Sequence, residues 1–199
     1  MAKLTGKRVA ILVAEGFEQV EMTEPRKALQ EAGAETRIVS PSKDKVQGWN
    51  HFDKADSFPV DVALDEADAD DFDALLLPGG VANPDQLRMN PKSVEFAKQF
   101  FDSGKPIGVI CHGPWTLIEA GVVEGRTMTS WPSLRTDLQN AGAKWVDQEV
   151  VVDHGLVSSR KPDDIPAFNR KIVEEFAEGS HGAGLSRDAK EKREGRPSA

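Results

Sequence analysis

The sequence predicts an α/β fold, a mainly parallel sheet covered by helices on both faces, and three observations carry that reading. Residues 9–13 form a continuous apolar run, as expected for a strand buried on both sides. Helix-compatible sequence follows and is closed by another apolar segment, 36–39, which completes a βαβ unit. Two more short apolar runs, 74–77 and 107–110, each end in a glycine-bearing turn, as strands feeding helices do.

The elements follow in order. Met22, Ala28, Leu29 and Ala32 share one helical face, with Pro25 placed in a first turn and Gly33 as a stop. Residues 41–61 carry Gly48, Trp49, Phe52, Phe58 and Val60 between turn residues and suggest a hairpin beside the main sheet. The carboxylate-rich stretch 61–73 reads as a solvated helix or loop, with no chemistry assigned. Residues 93–101 form a helix with Val94, Ala97, Phe100 and Phe101 facing inward, and Gly113-Pro114 open another that runs to Glu119. Segments 127–130, 144–146, 150–152 and 156–158 supply further strands, with Asp153-His154-Gly155 as a tight turn, and a last helix spans 167–177. One domain over 1–178 is expected, followed by a charged, flexible tail over 179–199 that has no apolar face to offset its ordering entropy.

Composition narrows the function classes. The chain has 199 residues, 39% hydrophobic and 29% charged, with net charge -8. From Ser186 onward the tail carries +2, so the body carries -10. That balance opposes binding to nucleic-acid phosphates. The apolar run near the N-terminus, residues 9–14, is far shorter than the ~20 residues of a spanning helix, so no membrane association is expected. No secretory signal or glycosylation sequon is present, and a lone cysteine excludes an internal disulfide and multi-cysteine zinc motifs. The expectation is a cytoplasmic protein.

That cysteine, Cys111, lies where a strand turns into a helix, flanked by Gly108 and Gly113. This is the local form of a nucleophile elbow, and a sulfur at a helix N-terminus is expected to favour the thiolate. Ligand sites of such sheets lie at the strand C-terminal ends, which nominates Glu15, Gly79, Gly80 and Cys111. Gly79, Gly80 and Gly113 are the expected oxyanion or substrate contacts, since no Cβ blocks approach to their N–H groups. His112 shares the pocket if the turn is strained. Glu15 is expected to hold a proton against the sulfur or act as an acid/base. His51, His154 and His181 are assigned to the surface.

The segments AILVAEGFE (10–18), LLLPGG (75–80), ICHGP (110–114), NAGA (140–143), DQEVVV (147–152) and RKPDD (160–164), in this order, resemble the PfpI family. That family lies in the superfamily of the Parkinsonism-associated redox protein, and the resemblance spans about residues 7–176. It implies a flavodoxin-like α/β/α sandwich, similar to the class I glutamine amidotransferase domain, with Cys111 as nucleophile, Glu15 on its sulfur and His112 as proton partner. It also implies homo-oligomers, in which Asp85 orients His112 across a subunit interface, although the loop 81–84 is one residue longer than the usual one. The glutamine amidotransferases themselves have glycine two residues before the cysteine, where Val109 stands here.

Three activities follow as expectations. The first is a stress-response glyoxalase or deglycase that needs no cofactor or metal and takes reactive dicarbonyls or their early adducts. The second is an intracellular cysteine peptidase using Cys111, His112 and Asp85 on a peptide. The third is a redox sensor or chaperone whose Cys111 oxidises reversibly.

Overall fold

In the computed structural model, which describes residues 3–182, seven strands form one sheet. The chain enters it through β1 (Arg8–Leu12), passes the two-residue strand β2 (Phe17–Glu18) and helix α1 (Gln19–Glu31), and returns in β3 (Glu35–Ser40). A hairpin of β4 (Lys45–Asn50) and β5 (Asp53–Pro59) projects to the side, where β4 pairs with β2, and β6 (Val62–Ala63) then ends this half of the sheet. On the other side of β1 come β7 (Ala74–Leu77), helices α2 (Ala82–Met89) and α3 (Pro91–Asp102), then β8 (Ile107–Ile110) and α4 (Pro114–Glu119). A separate two-strand ribbon joins β9 (Thr127–Met128) to β10 (Lys144–Trp145) around α5 (Arg135–Asn140). The hairpin β11 (Val150–Asp153) and β12 (Leu156–Ser159) completes the sheet, and α6 (Ile165–Glu178) follows.

The strand order is β11-β12-β8-β7-β1-β3-β6, with every pairing parallel except β11 with β12. The order reverses beside β1, so the exits of β1 and β7 diverge to opposite sides and leave a crevice at their C-terminal ends. Alternation along each strand builds two cores. Val9, Ile11 and Leu76 face Met22 and Leu29 of α1 and Phe168 and Ile172 of α6, whereas Ala10, Leu12 and Leu75 face Phe96 and Phe100 of α3 and Leu117 of α4. Each such buried side chain contributes roughly 1.5–3 kcal/mol relative to exposure, which holds the strand exits rigidly.

The alternating α/β reading of the sequence matches this fold, and the residues 41–61 do form a hairpin. The acidic stretch 61–73 is dispersed among lysine and arginine partners: Arg26–Asp61, Lys92–Asp65, Lys105–Asp70 and Lys7–Asp73. Three expectations are corrected. Pro25 sits inside α1, beyond its first turn, where it leaves the Glu21 carbonyl without an intrahelical donor. The helices α2 and α5 had no clear apolar period and were not anticipated, and the segments 127–130 and 144–146 pair with each other outside the main sheet. Of the expected tail, residues 183–199 lie outside the described residues. Its first part is docked: the His181 N–H donates to the Gly104 carbonyl at 3.0 Å and its ring packs on Gly155. No helix among the described residues is long and apolar enough to cross a membrane.

Candidate active site

Cys111 follows β8 directly and adopts φ 63, a left-handed conformation costing a non-glycine residue roughly 1–2 kcal/mol. Two backbone bonds hold it there. Its N–H donates to the Ser159 carbonyl at 3.1 Å, and its carbonyl accepts the Trp131 N–H at 3.0 Å. The turn aims both Cys111 and His112 into one pocket, as the strained-turn reading required, and His112 Nδ1 lies 3.2 Å from Cys111 Sγ.

The carboxyl beside the sulfur is Glu21, not Glu15. Glu15 is exposed, and its Oε2 accepts the Gln47 N–H at 2.9 Å, so it fastens the hairpin strand β4 rather than touching the thiol. Glu21 enters from the first turn of α1, is fully buried, accepts the Gly79 N–H at 2.9 Å and hydrogen-bonds the Cys111 side chain. Burial, aided by the neighbouring Glu18 charge, pushes its pKa up from 4.5 to about 8, so near neutral pH it carries a proton. The sequence signal for it was its place on the buried face of α1 with Pro25 and Leu29, four and eight residues on.

The expected thiolate stabilisation by a helix terminus is also corrected. Burial pushes the Cys111 thiol well above its ordinary value, and an ionised Glu21 pushes it further, while the N–H groups of Gly80 and His112 pull it down. The six-residue α4 is too short to outweigh burial. Protonating Glu21 removes its repulsion and turns an acceptor into a donor, so the acid form of Glu21 is what favours the thiolate. His112 is pushed down from 6.5 to about 4 by burial and is neutral at pH 7, with its imidazolium form disfavoured.

Among the three glycines nominated for an oxyanion, only Gly80 directs its N–H to the sulfur. The Gly79 N–H is taken by Glu21, and a Cβ there would lie 2.4 Å from Glu21 Oε2 and 2.5 Å from Cys111 Cβ, so this glycine permits the acid and thiol to meet. The Gly113 N–H is engaged by the Ile110 carbonyl at 3.0 Å. Asn83, which the sequence reading missed, fixes this corner: its Oδ1 accepts the Ala14 N–H at 2.7 Å and its Nδ2 donates to the Pro78 and Gly79 carbonyls at 3.0 Å.

The pocket over Cys111 has a volume of about 410 Å³ and is lined by Glu18, His51, Phe52, Val81, Trp131 and Pro162. His51, assigned to the surface from sequence, comes in on the β4–β5 tip, its N–H donating to Glu18 Oε2 at 3.0 Å. His154 is exposed, as expected, and His181 is partly covered by its contacts with Glu175 and Gly155. Asp85 is on the exposed side of α2 and is not a partner of His112 within this chain. Among the described residues, Glu175, Glu178 and His181 gather as three groups able to hold a metal ion, but none of them lines this pocket.

Comparison with known proteins agrees with this architecture. The chain is 46% identical over 166 residues to Deglycase PfpI of Pyrococcus furiosus, covering 83% of this chain and 97% of the relative. It is 47% identical over 170 residues to General stress protein 18 of Bacillus subtilis (84% and 96%), and 45% over 167 residues to Putative cysteine protease YraA of the same organism (84% and 96%). A solved two-domain protein of Anabaena variabilis with DJ-1/ThiJ/PfpI-like and ferritin-like domains superposes with a TM-score of 0.81 at 34% identity, covering 94% of this chain and 51% of that one. The model of the DJ-1/PfpI family matches residues 7–175, and with the parallel sheet and the cysteine corner already described, the chain belongs to that family.

Proposed function

We propose that this protein is a cytoplasmic stress-response enzyme that consumes reactive dicarbonyls or their early adducts through Cys111, without glutathione or another cofactor. The observation that carries the reading is the meeting, in one largely apolar pocket, of a lone thiol, a neutral histidine 3.2 Å away and a buried carboxylic acid. His112 takes the thiol proton and Cys111 adds to the aldehyde carbon, giving a hemithioacetal. The N–H groups of Gly80 and His112, which point to the sulfur in the resting site, are the donors nearest the new oxyanion. A proton then moves from the former aldehyde carbon to its neighbour through an enediol, with Glu21 and His112 as carriers, and leaves a thioester of the 2-hydroxy acid. Water releases the acid and restores the thiol. An adduct on an amine joins the same path when thiol attack expels the free amine. The names of the relatives, deglycase and general stress protein, support the assignment.

A second reading, a peptidase with Asp85 of a neighbouring copy behind His112, is favoured by one feature. Val81, Asp85 and Met89 recur at four-residue spacing and are exposed together, an apolar stripe around a carboxylate suited to a homo-oligomer contact. Methylglyoxal loss without glutathione, followed beside casein cleavage for wild type and Cys111→Ser, separates the two. Cysteine-dependent loss of dicarbonyl supports the first reading, and a wild type that leaves dicarbonyls untouched while cleaving casein replaces it with the second.

A further inference from the structure

His112 needs more than proximity to act as a base toward Cys111: its Nδ1 must be the unprotonated nitrogen. Which nitrogen of a neutral imidazole carries the proton is set by the partner of the other one. Here Nε2 lies 3.4 Å from Oγ of the exposed Ser133 in the same chain, a hydroxyl able to accept from Nε2–H or to donate to a bare Nε2. The ring is also held in its plane, stacked on Trp131 at 6.0 Å and 24° and met edge-on by Trp115 at 5.1 Å.

The segment that supplies Trp131 and Ser133 is tied to the thiol's own backbone. Trp131 N–H donates to the Cys111 carbonyl at 3.0 Å, and the Leu134 N–H closes the following turn on the Trp131 carbonyl at 3.0 Å. Ser130 Oγ donates to the Trp131 carbonyl at 2.9 Å and accepts Trp145 Nε1–H at 3.0 Å, which braces the segment against β10. Ser133 therefore keeps its position relative to Cys111 through short covalent and hydrogen-bonded paths.

We infer that Ser133 is a positioning residue that holds His112 in the tautomer with its proton on Nε2, so that a single chain orients its own base. In this arrangement Nε2–H donates to Ser133 Oγ, and the Nδ1 lone pair faces the Cys111 thiol. When the thiol proton moves to Nδ1, the products are a thiolate and an imidazolium still anchored at Nε2, with no proton lost to solvent. The inference rests on the proposed role of Cys111 and His112, but its test needs no substrate.

The experiment measures the rate of Cys111 alkylation by iodoacetamide against pH, read by intact mass, together with the nitrogen-15 shifts of His112. Since the chain has one cysteine, no other thiol contributes. Wild type and His154→Ala, a change on the exposed β11–β12 hairpin away from the pocket, are expected to agree and to show a single Nε2–H tautomer. Ser133→Ala should alkylate roughly three- to tenfold more slowly near neutral pH, below the ~10²–10⁴ of losing an acid–base group outright, with mixed tautomers. Ser133→Thr, which keeps the hydroxyl, should restore both. A Ser133→Ala protein with wild-type profile and tautomer overturns the inference, as does a uniform loss at every pH that threonine does not rescue. If wild type consumes no dicarbonyl yet Ser133→Ala mixes the tautomers, the proposed activity fails and the role of Ser133 stands.

Discussion

Two corners of this molecule carry the same local signature and differ in everything that makes chemistry. At Cys111-His112 and at Asp153-His154, a histidine sits beside an ionisable neighbour and a non-glycine residue takes positive φ, 63 at Cys111 and 47 at His154. The first corner is closed over by β7, α1 and the Trp131 segment, so Cys111 and His112 are 7% and 8% exposed. The second is the tip of the β11–β12 hairpin, where the His154 side chain is 78% exposed and pairs with Asp153, whose other oxygen accepts the Thr127 N–H at 2.7 Å. Burial shifts the protonation of Glu21, Cys111 and His112, whereas the hairpin pair lies outside the pocket. The proposed chemistry needs the first corner, where the fold removes water and adds an independent carboxyl.

Changes at the two corners should therefore separate widely. The largest effect is expected from Cys111→Ser, which removes the nucleophile and should reduce dicarbonyl loss by ~10³-fold or more, followed by NMR of the product acid. His112→Ala comes next, with a loss of ~10²-fold or more in kcat and a smaller change in KM. His154→Ala and Asp153→Asn are expected to leave kcat/KM within twofold. A hairpin variant that lowers turnover as much as His112→Ala would erase the contrast.

The contrast also has a signature in stability. Folded Glu21 keeps its proton to about pH 8 whereas the unfolded chain releases it near 4.5, so its contribution is full below 4.5 and falls as pH rises through 8. His112 runs the other way: with a folded value of about 4 against 6.5, stability is lost as pH falls from 6.5 through 4. Thermal unfolding across pH should show Glu21→Gln flattening the alkaline limb and His112→Asn the acid limb.

The centre of the sheet was legible because β7 and β8 are short, apolar runs buried along their whole length: residues 74–77 and 107–110 were read with the bounds they have. Cys111 was legible for a local reason, its place between a strand and Gly113. The carboxyl was not. A rule about strand ends points to the loop, hence to Glu15, but which acid reaches the sulfur depends on how the first turn of α1 rolls its apolar face inward, and that face carries Glu21. His51 and Ser133 reach the pocket and His112 through tertiary folding of a hairpin tip and a loop, for which a single sequence carries no local pattern.

The account rests on Glu21, rather than Glu15, governing the state of Cys111, and one measurement addresses this most directly: the pH profile of Cys111 alkylation in wild type, Glu21→Gln and Glu15→Gln. The predicted result is a wild-type profile with an inflection near pH 8 from Glu21, reproduced by Glu15→Gln and abolished in Glu21→Gln. A profile altered by Glu15→Gln and untouched by Glu21→Gln would contradict it.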